Sequence, residues 1–323
     1  MLLNIIFSYN RAMQLDFLLR SIISRFKIDN YSIAVIYHTT GNHNIGYDLL
    51  KKKYKEYNFI KFYERSEGYD LGILPALNCR SHFKFFNKYH FKNKKRDNFK
   101  GLLENLLKSA SHEFVMFDTD DGYFNSDFTI SNDVLNLIRN NKTQVSYRNY
   151  VGENIEGYPD YVKDWGEFKL WDYYYDNTKI THWSYPFSVD GTIYHTKGLL
   201  SIISRVAYHN PITFEDRVFH FVKRNKLLGI GLSPKKSILN GTVLNRVSVD
   251  TNNAALNIDI NFLNEKFIEG YELELVFPER SNHVNIVPLI VSIKKDNSSK
   301  VIYEIDEYGQ SIQNKFGPEG SKN

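Results

Sequence analysis

Residues 113–124 read EFVMFDTDDGYF, an apolar run followed at once by three carboxylates, Asp118, Asp120 and Asp121. The apolar run has the length and composition of a buried strand. Unpaired buried charge is costly, so a buried strand that ends in acids should deliver them to a rim where water, a cation or a substrate compensates them. The stretch therefore predicts an acidic site at the end of a buried strand.

Strands and helices alternate on the N-terminal side of this stretch. The predicted strands are LLNIIFSY, YSIAVIYHTT and NFIKFYERS, and the predicted helices are RAMQLDFLLRSIISRF, YDLLKKKYKEY and FKGLLENLLKSA. This alternation predicts an α/β fold with a mostly parallel sheet and helices on both of its faces. Ligands of such sheets bind outside the carboxyl ends of the strands. The segments SYNR (8–11) and DTDD (118–121) both follow strands and should line one crevice.

Composition describes a folded, aromatic-rich protein of 323 residues, with 42% hydrophobic and 15% aromatic residues. The net charge of +4 comes from 41 basic and 37 acidic residues that are well mixed, so charge does not argue for a nucleic-acid partner. The single cysteine, Cys79, excludes a disulfide framework and a cysteine-based zinc cluster. The N-terminus lacks signal-peptide features, and no stretch approaches the ~18 apolar residues of a membrane span. We expect a cytoplasmic protein, with peripheral membrane contact left open.

The second half of the chain differs in composition. Residues 150–188 hold all three tryptophans among many tyrosines, and TFEDRVFHFVKRN predicts a helix with acids in its first turn. An Asn-rich loop around NRVSVDTNN (245–253), a short helix that stops near Gly270 and a strand follow. The tail from Asp296 is polar, and its last dozen residues are expected to be partly disordered.

Three segments together resemble the landmarks of family 2 glycosyltransferases with the GT-A fold, of the kind that builds bacterial surface glycans. They are FSYNRAMQLDFLLRSI near the start, HEFVMFDTDDGYF and TFEDR. The resemblance covers roughly residues 1–225. It implies a GT-A domain over 1–228, with a nucleotide-binding half (1–125) and an acceptor-binding half (126–228). A C-terminal extension (229–295) would pack on it, and a polar tail (296–323) would follow.

The resemblance implies a nucleotide-diphosphate sugar as donor, with a UDP-sugar favoured, and a glycan or lipid-linked glycan as acceptor. The first landmark would hold the base and ribose, and Asp118 would face the ribose. The basic residue that reaches the diphosphate does not align, and Arg96, Asn98 or Lys100 could fill that role. The predicted nucleotide-sugar site comprises Ser8, Tyr9, Asn10, Arg11, Thr39, Asn98, Lys100 and Asp118.

The resemblance also implies a divalent metal held by Asp120 or Asp121. Mg²⁺ or Mn²⁺ takes oxygen ligands, and one or two carboxylates suffice because phosphates and water fill the other positions. The alternative is that DTDDG is only a turn whose acids cap the next helix. No histidine or cysteine cluster offers a competing site, since His38, His43 and His195 are scattered in the sequence.

The acidic pair in TFEDR would supply the base that deprotonates the acceptor hydroxyl, with Asp216 preferred over Glu215 because the family motif places its base at the second acid. The alternative is a structural pair between Asp216 and His220 on one helix face. Aromatic faces cover the CH faces of sugars. The predicted acceptor site comprises Trp165, Trp183, Tyr185 and Asp190, with core packing as the alternative for the tryptophans.

Two further features stay open. The basic run from Lys84 to Lys100 could dock a phosphorylated or lipid-linked acceptor at an anionic membrane, or be a solvated loop. The functional expectation is an inverting, metal-dependent glycosyltransferase of surface polysaccharide or lipopolysaccharide synthesis. The competing functions are a sugar-phosphate nucleotidyltransferase, for which a glycine-rich phosphate loop is missing after the first strand, and a non-catalytic glycan-binding protein.

Overall fold

The computed structural model describes residues 1–68, 96–176, 178, 180–245, 256–278 and 282–305. The strands are β1 (Leu2–Tyr9), β2 (Tyr31–His38), β3 (Ile60–Glu64), β4 (Glu67–Gly68), β5 (Arg96–Asp97), β6 (Phe114–Thr119), β7 (Gly122–Phe124), β8 (Val145–Arg148), β9 (Lys163–Trp165), β10 (Phe168–Asp172), β11 (Thr192–His195), β12 (Ile230–Pro234), β13 (Leu239–Thr242), β14 (Glu272–Val276), β15 (Asn285–Ile286), β16 (Ile290–Lys295) and β17 (Ser298–Glu304). The helices in the described part of the chain are α1 (Ala12–Arg25), α2 (His43–Lys53), α3 (Phe99–Ser109), α4 (Asn132–Asn140), α5 (Thr196–Ile203), α6 (Pro211–Arg224) and α7 (Ile260–Ile268).

A nine-stranded sheet in the order β3-β2-β1-β6-β11-β8-β12-β10-β9 forms the centre of the described structure. β3, β2, β1 and β6 pair in parallel, and β8 and β12 do so as well. Only β11 and β10 run against the other seven strands, so the sheet is mostly parallel in direction. The predicted α/β class is confirmed. The carboxyl ends of β1, β2, β6 and β8 and the amino end of β11 therefore meet at one edge.

Helices cover both faces of this sheet. Alternate residues of β1 point to opposite faces, and both sets include apolar side chains that pack against helices. Leu2 and Ile6 belong to one buried cluster, together with apolar residues of α1, α2 and α4. Leu3, Ile5 and Phe7 belong to a second cluster, with apolar residues of α3, α5 and α6. Full burial of each such side chain contributes about 1.5–3 kcal/mol, so the two faces together hold β1 at the centre of the fold.

Helix α6 begins earlier than the sequence predicted. Asn210 caps it by accepting a hydrogen bond from the Thr213 backbone N–H at 2.8 Å, and Pro211 occupies the first turn. Glu215 and Asp216 consequently lie in the second turn, so the expectation of acids in the first turn is wrong. The helix dipole is therefore a weaker reason for these acids to be there, because its effect is confined to the terminal turn.

The C-terminal part of the described chain is shared between three sheets. β12 belongs to the central sheet, β13 pairs with β7 and β15, and β14, β16 and β17 form an antiparallel sheet. That last sheet lies against α1, where Arg20 Nη2 donates to the Leu273 carbonyl at 2.7 Å. A division at residues 228 and 229 thus does not coincide with a boundary between sheets, and part of the predicted polar tail is strand β17.

No helix in the described residues is long and apolar enough to cross a membrane.

Candidate active site

The chain leaves β1 through a left-handed residue, Asn10, whose φ is +56°. Asparagine tolerates this conformation better than most residues. Its side chain fixes the end of β1 to the end of β2: Nδ2 donates to Thr40 Oγ1 at 2.8 Å, and Oδ1 accepts from the Thr40 backbone N–H at 2.8 Å. The Tyr9 ring stacks on His38, with centroids 5.6 Å apart. Asn10 and Tyr9 thus lie at the edge where the sequence predicts the crevice.

Arg11 joins the two motifs that the sequence placed at this edge. Its Nη1 lies 2.9 Å from Asp120 Oδ1 and 3.1 Å from Asp121 Oδ2. The guanidinium is almost fully buried; burial opposes its charge, but the two carboxylates outweigh burial and the pKa of Arg11 is raised. The prediction that SYNR and DTDD lie together at this edge is confirmed.

Asp120 is 4% exposed, and both of its oxygens already have protein partners. Oδ1 accepts from Arg11, while Oδ2 accepts from Ser8 Oγ at 2.8 Å and from the Tyr9 backbone N–H at 2.9 Å. Burial raises the pKa of Asp120, and Arg11 opposes that rise. We expected Asp120 at a solvent-facing strand end. In the structure it is instead buried, and its hydrogen bonds join the end of β1 to the end of β6.

Asp121 is the accessible acid of this motif, with a side chain that is 36% exposed. Its carbonyl accepts hydrogen bonds from Thr242, at 2.7 Å from the backbone N–H and 3.0 Å from Oγ1. Strand β13 thereby holds the backbone of Asp121 while its carboxylate stays partly open. A carboxylate that is fixed and accessible can meet a ligand from solvent.

Asp118 does not reach the crevice. It is 1% exposed within β6, and its Oδ2 accepts from Asn4 Nδ2 of the neighbouring β1 at 2.7 Å. Burial raises the pKa of Asp118 well above its ordinary value, and the charge of Asp190 adds to the rise. The expectation that Asp118 faces a ribose does not fit this position, because the pleat turns its side chain into the protein.

A second acidic group lies at the amino end of β11. Asp190 Oδ1 accepts from Thr119 Oγ1, at the end of β6, at 3.1 Å. Gly191 follows with φ +54°, a left-handed backbone conformation that favours glycine, and a Cβ there would lie 2.2 Å from a Leu239 side-chain carbon. Burial, followed by the charge of Asp121, raises the pKa of Asp190 to about 6.

Glu215 of α6 completes this group. Its Oε1 accepts from the backbone N–H of Val189 at 3.2 Å. Burial, followed by the charge of Asp190, raises the pKa of Glu215 to about 8. The charge of Asp121 acts on Asp190 and that of Asp190 acts on Glu215, and we call these three residues at the carboxyl end of β6 the acidic cluster.

Asp216 lies apart from this cluster. Its side chain is 62% exposed, and its Oδ1 lies 3.4 Å from His220 Nε2 one turn along α6. Adjacent residues of a helix point about 100° apart, so Glu215 faces the sheet edge while Asp216 faces solvent. The surface pair that the sequence offered as an alternative is the arrangement observed.

The aromatic residues separate into core and site. Tyr185 stacks on Phe219 of α6 with centroids 4.2 Å apart, and burial and then the charge of Glu215 raise its pKa. Trp183 is buried and packs edge-to-face on Trp171, with centroids 4.9 Å apart. The prediction of Trp183 as an acceptor contact therefore does not fit its position, because its ring is enclosed in the core.

Trp165 is also remote from the acidic cluster. It lies on β9, the edge strand five positions from β6 in the sheet. At about 4.8 Å per strand this separation is roughly 24 Å. A sugar of ordinary size at the cluster does not reach Trp165.

The remaining predicted nucleotide-site residues flank the crevice. Thr39 directly follows β2 and is partly exposed. Asn98 Oδ1 accepts from the Ser66 backbone N–H at 3.1 Å, which joins the start of α3 to the end of β3. Lys100 Nζ donates to the Val206 carbonyl at 2.6 Å and lies over the Tyr208 ring, so it is turned toward the segment after α5.

Several predicted features lie outside the described residues. These are Cys79, the basic run through Lys95 together with the Arg96 side chain, and most of the Asn-rich loop. The first residue of that loop, Asn245, is described: it accepts from Arg11 Nε at 3.0 Å and from Gln14 Nε2 at 3.1 Å through Oδ1. The sequence placed Asn245 at the start of a loop that resembles the segments closing over the donor in GT-A enzymes, but its contact with Arg11 has no local signal.

The described residues contain no group of three or more histidine, cysteine, aspartate or glutamate side chains placed to hold a metal. The acids present nevertheless suit a divalent cation that shares its coordination sphere with a substrate. Asp121 offers a hard oxygen ligand that is open to solvent, and a cation that keeps several waters and phosphate oxygens needs only one or two such ligands. Asp120 fits that role less well because Arg11, Ser8 and Tyr9 occupy it.

No protein-family model matches the sequence, and no curated protein does. Among solved structures, S. aureus TarS gives a TM-score of 0.42 at 15% identity, covering 83% of this chain and 39% of that one. S. aureus TarS 1-349 in complex with UDP-GlcNAc gives 0.42 at 14%, covering 83% and 65%. The apo structure of WbbM, a bifunctional glycosyltransferase, gives 0.33 at 13%, covering 67% and 37%. This chain spans less than two thirds of the length of each.

Proposed function

We propose that the protein transfers a sugar from a nucleotide-diphosphate sugar to a hydroxyl group of a glycan acceptor. The observation that carries the proposal is the acidic cluster of Asp121, Asp190 and Glu215 at the carboxyl end of the central sheet. Such edges are where ligands bind in α/β sheets. An accessible carboxylate beside a carboxyl with a raised pKa suits a reaction that needs both charge neutralisation and proton removal.

The donor would lie over the ends of β1 and β2. The Tyr9–His38 ring pair offers a flat surface for a base, and Asn10, Thr39 and Asn98 offer hydrogen-bonding groups around it. A UDP-sugar is the proposed donor, as the sequence resemblance implies. Ser8 and Arg11 would act indirectly, because both are engaged by Asp120.

A divalent cation, Mn²⁺ or Mg²⁺, would be held by Asp121 together with donor phosphates and water. When bound, such a cation neutralises the negative charge of the leaving diphosphate. Within the chain, Asp120 and Arg11 would keep Asp121 in place through the shared guanidinium. Arg11 balances part of the acidic charge, so the crevice can accept an anionic donor without stacking like charges.

Glu215 is the proposed base. As the acceptor oxygen bonds to the anomeric carbon, the bond from that carbon to the diphosphate breaks, and Glu215 takes the hydroxyl proton. A pKa of about 8 lets this carboxyl accept a proton near neutral pH far better than an ordinary glutamate does. Asp216 was preferred from the sequence, but its exposed position beside His220 leaves Glu215 as the better placed acid. Attack from the face opposite the diphosphate would invert the anomeric centre.

The acceptor would lie between Tyr185 and Asp190, the two predicted acceptor residues that adjoin Glu215. The Tyr185 ring can cover the CH face of a sugar, while Asp190 can accept a hydrogen bond from a hydroxyl group. Surface polysaccharide or lipopolysaccharide is the proposed product class. The proposed place of action is the cytoplasm, with peripheral contact at the inner membrane face where lipid-linked acceptors are presented.

The proposal is tested by measuring donor hydrolysis and transfer across UDP-, GDP-, CDP- and dTDP-sugars, each with and without Mn²⁺. Release of a nucleoside diphosphate with one donor, dependent on the cation, is the expected result. Formation of a nucleoside triphosphate and a sugar 1-phosphate when inorganic diphosphate is added would point to nucleotidyl transfer instead. Binding of glycans without turnover of any donor would point to a glycan-binding protein.

A further inference from the structure

Arg148, the last residue of β8, is a fully buried cation whose charge acts on Asp190 and Glu215 of the acidic cluster. Its Nη1 donates to the His182 carbonyl at 2.6 Å, and its Nη2 donates to the Tyr185 carbonyl. The guanidinium lies between the rings of Tyr150 and Tyr173, each with its centroid 5.0 Å away. Rings and carbonyl oxygens therefore surround it. Within the described residues no carboxylate lies at ion-pair distance from it.

A buried cation without a contact ion pair is costly, and it persists only where nearby negative charge and hydrogen bonds compensate it. The charge of Arg148 acts on two carboxylates, Asp190 and Glu215, and it favours the ionised form of each. Around Glu215 the charged or titratable groups are Asp190 from the turn before β11, Arg148 from β8 and Tyr185 from the preceding segment. Arg148 is the cation among them.

Arg148 also sets the position of the segment that carries the site. The two carbonyls that it binds lie at residues 182 and 185, and the chain then continues through Val189 to Asp190. The Val189 backbone N–H binds Glu215, and Tyr185 stacks on Phe219, so both ends of this segment rest on α6. A shift at the Arg148 end would move Tyr185 and the Glu215 partner together.

We infer that Arg148 is a positioning residue of the transfer reaction, which holds residues 182–190 against α6 and supplies buried positive charge that favours the ionised form of Glu215. The inference rests on the proposed function for its catalytic meaning. The electrostatic part does not depend on sugar transfer, because the guanidinium is enclosed whether or not a sugar is transferred.

The test compares Arg148→Gln, which removes the charge, with Arg148→Lys, which keeps it but loses the planar two-carbonyl contact. The control is Arg139→Gln, because Arg139 pairs with Glu113 at the opposite end of β6. If Glu215 must be ionised for transfer, kcat/KM rises with pH through its titration. Arg148→Gln should move this acidic limb to higher pH by up to about one unit, which lowers kcat/KM at neutral pH by up to about tenfold. Arg148→Lys should keep the limb in place with a lower plateau, and the control should change neither.

A second measurement does not depend on transfer. Carboxyl ¹³C NMR of glutamate-labelled protein, with the Glu215 signal assigned through Glu215→Gln, follows its titration directly. A folded Arg148→Gln variant with an unchanged Glu215 titration overturns the inference. If Arg148→Gln does not fold, a Glu215 titration in Arg148→Lys that moves upward by a full unit overturns it equally. A shifted Glu215 signal in a protein that transfers no sugar would support the electrostatic role and reject the proposed function.

Discussion

Glu215→Gln is the most direct perturbation of the proposed base. The amide has the same shape, and its oxygen can still accept the Val189 N–H bond, which is 3.2 Å long in the structure. It cannot take a proton. We expect kcat to fall by about 10² to 10⁴, or about 2.7–5.4 kcal/mol at 1.36 kcal/mol per tenfold change, with donor affinity almost unchanged.

The wild-type pH dependence follows from the same residue. With a pKa of about 8, Glu215 is about one tenth ionised at pH 7 and about one hundredth ionised at pH 6. The wild-type rate should therefore fall about tenfold between these two pH values. In Glu215→Gln the small residual rate should lose this dependence, because no carboxyl remains to titrate.

Asp216→Asn is the matched control on the neighbouring residue. It removes an exposed pair whose oxygen and nitrogen lie 3.4 Å apart. Such a pair contributes about 0.3–0.5 kcal/mol on a helix, so the melting temperature should fall slightly and turnover should stay near the wild-type value.

The assay measures kcat, donor Kd and melting temperature on wild type and both variants. A folded Glu215→Gln enzyme with near-normal transfer would refute the assignment of the base. Loss of transfer in Asp216→Asn alone, with normal donor binding, would return the role to Asp216 and mean that α6 rotates when the acceptor binds.

Three other results are expected. Asp121→Asn should weaken Mn²⁺-dependent binding of UDP and leave the melting temperature nearly unchanged. Asp120→Ala should instead cost about 3–5 kcal/mol of stability, because Arg11 loses its main buried partner. Thermal shift measured with and without UDP and Mn²⁺ separates the two results. Trp183→Ala should cost about 3–5 kcal/mol of stability, because it truncates a side chain in the core. Tyr185→Ala should mainly raise the KM for the acceptor. Equal effects of the two variants on that KM would place Trp183 in the acceptor site. The pKa of Glu215 is raised in the folded state from 4.5 to about 8, so its contribution to stability is complete below about pH 4.5 and is lost as pH rises through about 8. Between about pH 5 and about pH 9 the wild type should therefore lose more unfolding free energy than Glu215→Gln. Parallel plots of unfolding free energy against pH for the two proteins would contradict the raised pKa.

Much of the fold was predictable because its signals are local. The strands and helices up to Thr119 follow from apolar periodicity, and each predicted element there has a counterpart among the described residues. Helix α6 was placed correctly, but its start was not. The cap formed by Asn210 and Thr213 precedes the apolar pattern on which the prediction depended.

The site was predictable in outline and not in its details. That the segments 8–11 and 118–121 meet follows from parallel strands that end at one edge. Which aspartate is buried does not follow, since Asp118, Asp120 and Asp121 differ only by the pleat and by what lies opposite them. The choice between Glu215 and Asp216 likewise depends on how α6 is rotated on the sheet, which adjacent acids do not encode.

By itself the sequence determined the α/β class, the order of the N-terminal strands and helices and the edge at which the acids gather, because these depend on short-range periodicity and on chain direction. Only the tertiary structure decided that Arg11 neutralises Asp120, that Trp183 belongs to the core and that the charge of Arg148 acts on Glu215. Those contacts join residues far apart in the chain, and burial and the charge of a distant neighbour set the chemistry of each carboxyl. Neither quantity exists until the chain has folded.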